Sequence, residues 1–100
     1  MSQTIFLGLT NEALYAGCQV EEVAGRLNLT TPLEEAVAIV GRNANEIATD
    51  LVNEGVDEVE LTGPMAVWAY LLVFHAIVHR VKTVKYNDGR SGAVVVAKHG

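Results

Sequence analysis

The last third of the chain decides the fold, and residues 63–99 read GPMAVWAYLLVFHAIVHRVKTVKYNDGRSGAVVVAKH. Residues 65–79 form one apolar run that ends in histidine, which is typical of a buried helix. Residues 83–86 and 93–99 are β-prone, and the polar segment between them contains Asp-Gly, a strong hairpin-turn signal. The stretch therefore predicts a buried helix and then a two-stranded hairpin with charged residues at its tip.

The preceding residues supply three more predicted elements. Residues 4–9 combine β-branched and aromatic side chains and predict a first strand. Residues 33–54 carry apolar side chains at helical spacing, after Thr31 as the N-cap and Pro32 in the first turn. Residues 56–61 alternate apolar and acidic side chains, which predicts a short strand that ends at Gly63-Pro64.

The segment before the long helix has more than one interpretation. Residues 14–20 are either a second strand that pairs with the first or the lead-in to a helix, and the apolar spacing of residues 20–27 favours a short helix. Residues 19–30 also resemble the start of a helix-turn-helix. The recognition helix would then begin with Glu34 and Glu35, which would repel phosphates, so we predict no binding to duplex DNA.

Composition limits the class of protein. Half of the 100 residues are hydrophobic and 19% are charged, which argues against disorder and places part of the apolar surface at a subunit interface. The single Cys18 excludes an internal disulfide and suits a reducing cytoplasm. The apolar run of residues 65–78 is too short to span a bilayer, and no secretory signal is visible. We therefore predict one cytoplasmic α+β domain over residues 1–100. Its helices pack on one face of a mixed or antiparallel sheet in a small two-layer sandwich.

Charge is distributed unevenly along the chain. Residues 1–79 hold eleven acids and two basic residues, a balance of −9, whereas residues 80–100 hold five basic residues and one acid, a balance of +4. The positive end lies next to the histidines of the predicted helix. It would attract a small anion more readily than an extended nucleic acid, which the acidic remainder would repel.

Four side chains of this tract have chemistry suited to phosphate. His75 and His79 share one helix face, and either can act as a general acid or base; His79, at the helix end, is the better candidate. The alternative for the pair is a metal site that takes Asp88 or His99 as a third ligand. Arg90 presents a planar fork of donors that matches phosphate oxygens. With Asp88 to orient a group, this set would suffice to cleave an RNA-type phosphodiester, in which the 2′-hydroxyl is the nucleophile and no metal is obligatory.

Residues 63–100 also resemble the small CRISPR-associated ring nucleases of the Csx type. The resemblance is carried by Gly63-Pro64, by the apolar helix that ends in histidine, and by the Asp88-x-Arg90-x-Gly-Ala-Val-Val-Val segment with its closing His99. It implies a ferredoxin-like fold, assembly into dimers or higher oligomers, and hydrolysis of a cyclic oligoadenylate, chiefly cyclic tetra-adenylate, which ends type III CRISPR antiviral signalling. Manganese is implicated in that family.

The expected site follows from the residues and the resemblance together. We expect His79, Asp88 and Arg90 to be catalytic. The expected ligand-binding residues are His75, Lys82, Lys85, His99 and Gly63. Two other functions remain open: a non-catalytic module that binds or sequesters a small anionic ligand or a partner protein, and a structural oligomerisation domain.

Overall fold

Two helices and six strands are present in the computed structural model, which describes residues 1–64 and 66–98. In chain order they are β1 (Ser2–Phe6), β2 (Val20–Val23), β3 (Arg26–Leu29), α1 (Leu33–Asn53), β4 (Glu58–Thr62), α2 (Val67–Val78), β5 (Thr83–Asn87) and β6 (Ala93–Lys98). Met65, with which the predicted second helix began, lies outside the described residues.

The main sheet has four strands in the order β1-β4-β5-β6. β1 pairs with β4 in parallel and β4 pairs with β5 in parallel, whereas β6 returns antiparallel to β5. Each parallel pair is joined by one helix, as the crossover between parallel neighbours requires. The chain therefore contains two successive βαβ units and a closing hairpin, and the carboxyl ends of β1, β4 and β5 lie at the same edge of the sheet.

Alternation along β4 shows which face of the sheet is covered. Val59 and Leu61 are buried, while Glu58, Glu60 and Thr62 between them are only partly buried. Because successive strand residues point to opposite faces, the first pair faces the helices and the other three face solvent. The core between sheet and helices is built from both layers. Its fully buried members include Leu7, Leu14, Val40, Leu51, Val59, Val73, Ile77 and Val84.

The predicted long helix is confirmed except at its start. α1 spans Leu33–Asn53 and begins one residue after Pro32, which occupies the N-cap position without a side-chain hydrogen bond. The prediction that Thr31 caps this helix is wrong, because its hydroxyl instead accepts a hydrogen bond from the backbone N–H of Gln19 at 2.7 Å. Thr31 thus closes the base of the preceding hairpin.

Residues 20–29 form a hairpin, so the predicted short helix and the helix-turn-helix alternative are both wrong. β2 and β3 pair antiparallel as a separate two-stranded sheet. Ala24 and Gly25 connect them with φ of 52° and 77°. Two successive positive φ values are typical of a two-residue type I′ turn, whose twist matches that of paired strands. The turn, rather than apolar spacing, determines the local structure.

A buried asparagine fixes the loop between β1 and this hairpin. Asn43 of α1 is 4% exposed, and its Nδ2 donates to the carbonyl oxygens of Leu14 and Ala16 at 2.8 and 2.9 Å. Leu14 is fully buried beside them. A loop that enters the interior must have its carbonyls satisfied, and one amide group does so for two of them.

The predicted two-layer α+β sandwich, with helices packed on one face of a sheet as in ferredoxin-like domains, is confirmed. The strands joined by each helix are direct neighbours here, whereas the split βαβ units of ferredoxin-like domains place another strand between them. Over residues 1–64 and 66–98, neither helix combines the length and apolar character needed to cross a membrane.

Candidate functional site

A concave site with polar and aromatic lining lies at the edge where the three parallel strands end. Open parallel sheets bind ligands outside the carboxyl ends of their strands. A cleft of about 430 Å³ lies there, and we call it the carboxyl-end cleft. Its lining residues are Phe6, Thr62, Gly63, Pro64, Tyr70, Tyr86, Asn87, Asp88 and Gly89. Of the predicted site residues, the cleft brings together Gly63 and Asp88, and Arg90 follows in the same turn.

Gly63 lets two strand ends meet beneath the cleft. Its φ is +112°, and an added Cβ would lie 3.0 Å from the backbone nitrogens of both Leu7 and Gly8. The Leu7 N–H donates to the carbonyl of Thr62 at 2.7 Å, which extends the β1–β4 pairing past the last strand residue. Both the backbone angle and the close approach therefore require glycine at position 63.

Hydrogen bonds hold the end of β5 against the end of β4. The Thr62 hydroxyl donates to the carbonyl of Asn87 at 2.8 Å, and the Asn87 side-chain amide donates to Glu60 at 3.3 Å. The Asn87 side-chain oxygen then accepts the N–H of Gly89 at 2.8 Å. These bonds fix the backbone from which Asp88 and Arg90 project.

Asp88 organises the hairpin tip through one carboxylate oxygen. Its Oδ1 accepts the N–H of Ser91 at 2.9 Å and that of Arg90 at 2.8 Å. These two hydrogen bonds lower the pKa of the exposed Asp88 carboxyl below its usual value. Asp88 is therefore ionised at neutral pH and is a weak proton acceptor, because an efficient general base has a pKa near the working pH.

Arg90 is exposed at the same tip. Within residues 1–64 and 66–98, its guanidinium makes neither an ion pair nor a hydrogen bond. Arg90 follows Gly89, which lines the cleft, and an exposed arginine without a carboxylate partner among the described residues has its donors available to an anion. This is the positive group nearest to the cleft in sequence.

Two tyrosines form one wall of the carboxyl-end cleft. The rings of Tyr70 and Tyr86 meet edge to face, with centroids 5.5 Å apart and planes at 84°. The Tyr70 hydroxyl donates to the carbonyl of Gly63. Burial, followed by the neighbouring Tyr86, raises the pKa of Tyr70. Tyr86 remains 37% exposed and offers an aromatic surface to a ligand. Neither tyrosine was predicted from the sequence to belong to the site, because their place in the cleft depends on the strand order.

The histidines lie at the opposite edge of the sheet. His79 is the C-cap of α2, one turn after His75, and their rings meet edge to face at 5.9 Å. They line a groove of about 250 Å³ between the two helices, with Arg80. The Arg80 guanidinium donates to the carbonyl of Asn45 at 3.0 Å. This groove is polar, but it is a different site from the carboxyl-end cleft.

The predicted convergence of His79 with Asp88 and Arg90 is wrong for a single chain. α2 starts at the carboxyl edge and returns to the amino edge over twelve residues, a length of about 18 Å. β5 then runs back along the sheet to Asp88. A histidine at the end of this helix and an aspartate at the end of the next strand must therefore occupy opposite edges.

The predicted lysines also lie away from the cleft. Lys82 directly precedes β5 at the amino edge, where its backbone N–H donates to Asp57. Lys85 lies on the solvent-facing side of the sheet and forms an ion pair with Glu58 at 3.3 Å. His99, also predicted to bind ligand, lies outside the described residues.

The manganese that the resemblance implicates stays a prediction. In residues 1–64 and 66–98, no three side chains of His, Cys, Asp or Glu lie close enough together to hold a metal ion. Manganese prefers oxygen ligands, and the cleft offers one carboxylate, that of Asp88. We assign no chemical step to a metal.

Comparisons with protein-family models, with curated proteins and with solved structures found no match to this chain.

Proposed function

We propose that this protein binds a small nucleotide with phosphodiester groups, of the cyclic oligoadenylate class, in the carboxyl-end cleft. The observation that carries the proposal is the position of Arg90, which follows Gly89 at a cleft with an aromatic wall. Among the described residues, the Arg90 guanidinium has no hydrogen-bond or ion-pair partner. Arginine recognises phosphate oxygens, and tyrosine rings accept stacked bases. Binding would sequester the messenger of the type III CRISPR response that the resemblance implies.

The start of α2 supports an anionic ligand. Its N-cap is Ala66, without a side-chain hydrogen bond, and its first turn holds no acidic residue. The helix follows Gly63-Pro64, which line the cleft. Helix N-termini carry a partial positive charge and free N–H groups, which favour negative groups nearby. The ordinary helix start would place a serine or aspartate side chain on those groups.

Ring cleavage is the second candidate function. The observation that favours it is that Asp88 and Arg90, which belong to the most specific part of the resemblance, flank the same cleft. In this reaction the 2′-hydroxyl attacks the adjacent phosphorus, and the 5′-oxygen leaves, giving a 2′,3′-cyclic phosphate. None of the described residues that line the cleft is a histidine, and the lowered pKa of Asp88 suits it poorly to proton transfer at neutral pH. Binding therefore ranks before catalysis.

Calorimetry with cyclic tetra-adenylate and the matching linear tetra-adenylate tests the binding proposal. Arg90→Gln should weaken binding about 10- to 100-fold, the range for loss of a charge-assisted hydrogen bond. Arg26→Gln is the matched control, because Arg26 is also an exposed arginine beside a hairpin turn but belongs to the separate β2–β3 sheet. Equal affinity of the Arg90 variant and the wild type would refute the proposed site.

Chromatography of the same mixtures tests cleavage. Linear products with a 2′,3′-cyclic phosphate should form with the wild type and disappear with Arg90→Gln if the cleft is catalytic. His79→Ala should leave both binding and product formation unchanged, because His79 lies at the other edge of the sheet. Loss of cleavage in His79→Ala alone would show that a histidine of the interhelical groove acts in the reaction, contrary to this placement.

A further inference from the structure

The helix layer of this protein leaves one strand of the sheet uncovered. α1 connects β1 to β4, and α2 connects β4 to β5, so both helices lie over those three strands. β6 is the edge strand beyond them. Its residues Val94 and Val96 are each 51% exposed, although Val94 pairs with Tyr86, whose side of the sheet faces the helices. This part of the inner face is apolar, and neither helix of the described residues covers it.

The uncovered area continues onto α2 as a groove of about 320 Å³. Its lining residues, all uncharged, are Leu61, Val67, Tyr70, Leu71, Phe74, Tyr86 and Val96. Val67 and Leu71 on the helix side are 73% and 62% exposed. We call Val67, Leu71, Tyr86, Val94 and Val96 the α2–β6 face.

We propose that the α2–β6 face is the interface with a second copy of this chain, in which α2 of each subunit covers β6 of its partner. The exposed fractions of its five side chains correspond to roughly 300–400 Å² of apolar surface, at roughly 100–150 Å² for a fully exposed side chain. A standard interface buries about 800 Å² per partner, of which somewhat more than half, roughly 450 Å², is apolar. The partly buried Tyr70 and Phe74 bring the available area close to that value.

The uncharged lining of the α2–β6 face suits a second copy as the occupant. Each chain carries a net charge of −5, which opposes association of two copies, so the surfaces that meet must add no like-charge contacts. A two-fold axis sets the same patch against itself, and this patch brings no charge into contact. The two subunits would each supply the helix that the other's edge strand lacks, and β6 would no longer be open to unlimited strand addition.

This interface does not rest on the proposed ligand. It adjoins the carboxyl-end cleft at Tyr70 and Tyr86, which line both hollows. Because the two hollows share these rings, association and ligand binding are separated by variants that touch one site each: Val96→Glu for the interface and Arg90→Gln for the cleft.

Sedimentation velocity over a concentration series tests the proposal on three single variants of the full chain. The wild type should sediment at twice the 10.7 kDa mass of one chain. Val96→Glu and Leu71→Glu should each raise the dissociation constant at least about 100-fold, because an unpaired charge would be buried at the interface. Circular dichroism should show that both variants remain folded, since both positions are largely exposed in one chain.

Val95→Glu is the matched control. Val95 is the next residue on the same strand and is 54% exposed, but it pairs with Lys85 on the opposite face of the sheet. It should leave the dimer intact. A wild type that stays monomeric at all concentrations would overturn the proposal. Dissociation by Val95→Glu as strong as by Val96→Glu would also overturn it, because association would then use the strand edge and not the α2–β6 face.

Discussion

Replacement of Gly63 by alanine is the sharpest test of how the carboxyl-end cleft is built. The substitution adds one methyl group to the backbone between β4 and α2. It acts in two ways: an L-residue is forced to φ of +112°, and the new Cβ meets the backbone nitrogens of Leu7 and Gly8 at 3.0 Å. Neither neighbour can yield by rotating a side chain, since both contacts are with main-chain atoms.

The magnitude follows from these two effects. A left-handed backbone costs an L-residue about 1–2 kcal/mol, and φ at Gly63 lies well beyond the left-handed helical value near +57°. Overpacking against fixed atoms adds about 1–3 kcal/mol. We therefore expect Gly63→Ala to lower the free energy of unfolding by about 2–5 kcal/mol.

Gly92→Ala separates the two contributions. Gly92 has φ of +78°, and a Cβ there would meet no atom within 4 Å. This control should lose only about 1–2 kcal/mol, from the backbone conformation alone. Urea unfolding followed by circular dichroism measures both variants, and the slope with denaturant shows whether the folded state stays equally compact. If the two variants agree within about 0.5 kcal/mol, which is smaller than the overpacking effect, the close approach of β4 to β1 is refuted.

Three further predictions concern buried and titrating groups. Asn43→Ala should destabilise the protein by about 2–4 kcal/mol in urea unfolding, because two carbonyl oxygens lose their donor. Asn45→Ala, on the exposed side of the same helix, should cost under about 1 kcal/mol. Equal losses would contradict the role of Asn43. Burial, followed by nearby Cys18, raises the pKa of Tyr15 to about 12, so its contribution to stability is complete below pH 10 and is lost as pH rises toward 12. Tyr15→Phe should reduce this pH dependence and leave the part that comes from Tyr70, whose pKa is also raised; an unchanged pH dependence would contradict the assignment to Tyr15. The pKa of Asp88, followed by carboxyl NMR, should lie below the usual aspartate value, and a midpoint at or above that value would show that its two backbone hydrogen bonds do not form in solution.

The helices and the closing hairpin were predictable because local patterns determine them. The apolar spacing of residues 33–54 predicted α1, and the Asp-Gly turn predicted the pairing of β5 with β6. The β2–β3 hairpin was not predictable in this way. β2 (Val-Glu-Glu-Val) shows no period-2 alternation, and the alternation of β3 (Arg-Leu-Asn-Leu) extends over only four residues. The turn uses Ala24 before Gly25 in place of the usual asparagine or aspartate.

Within one chain, topology separates His79 from Asp88 and Arg90. Asp88 and Arg90 were identified by residue type, and Gly63 by the Gly-Pro of the resemblance. Gly63 and Asp88 line one cleft, and Arg90 follows in the same turn. His79 was added because it is near them in sequence, with one strand between. In a βαβ unit the helix returns the chain to the starting edge, so the end of a helix and the end of the next strand never share an edge. Recognition of the parallel pairing would have excluded His79 and pointed to Tyr70 and Tyr86.

The parallel pairing of β1 with β4 also constrains the order in which the chain can fold. Every residue of β1 pairs with one that lies 56 positions later, whereas β5 and β6 meet across a short turn. Closing so long a loop is entropically costly and slow compared with forming a hairpin or a helix. During synthesis, the β1 segment must therefore wait as an unpaired apolar strand until β4 has left the ribosome, a delay of several seconds at roughly 5–20 residues per second. In that interval the Ile5-Phe6-Leu7 segment is the part of the nascent chain that a chaperone would have most reason to hold.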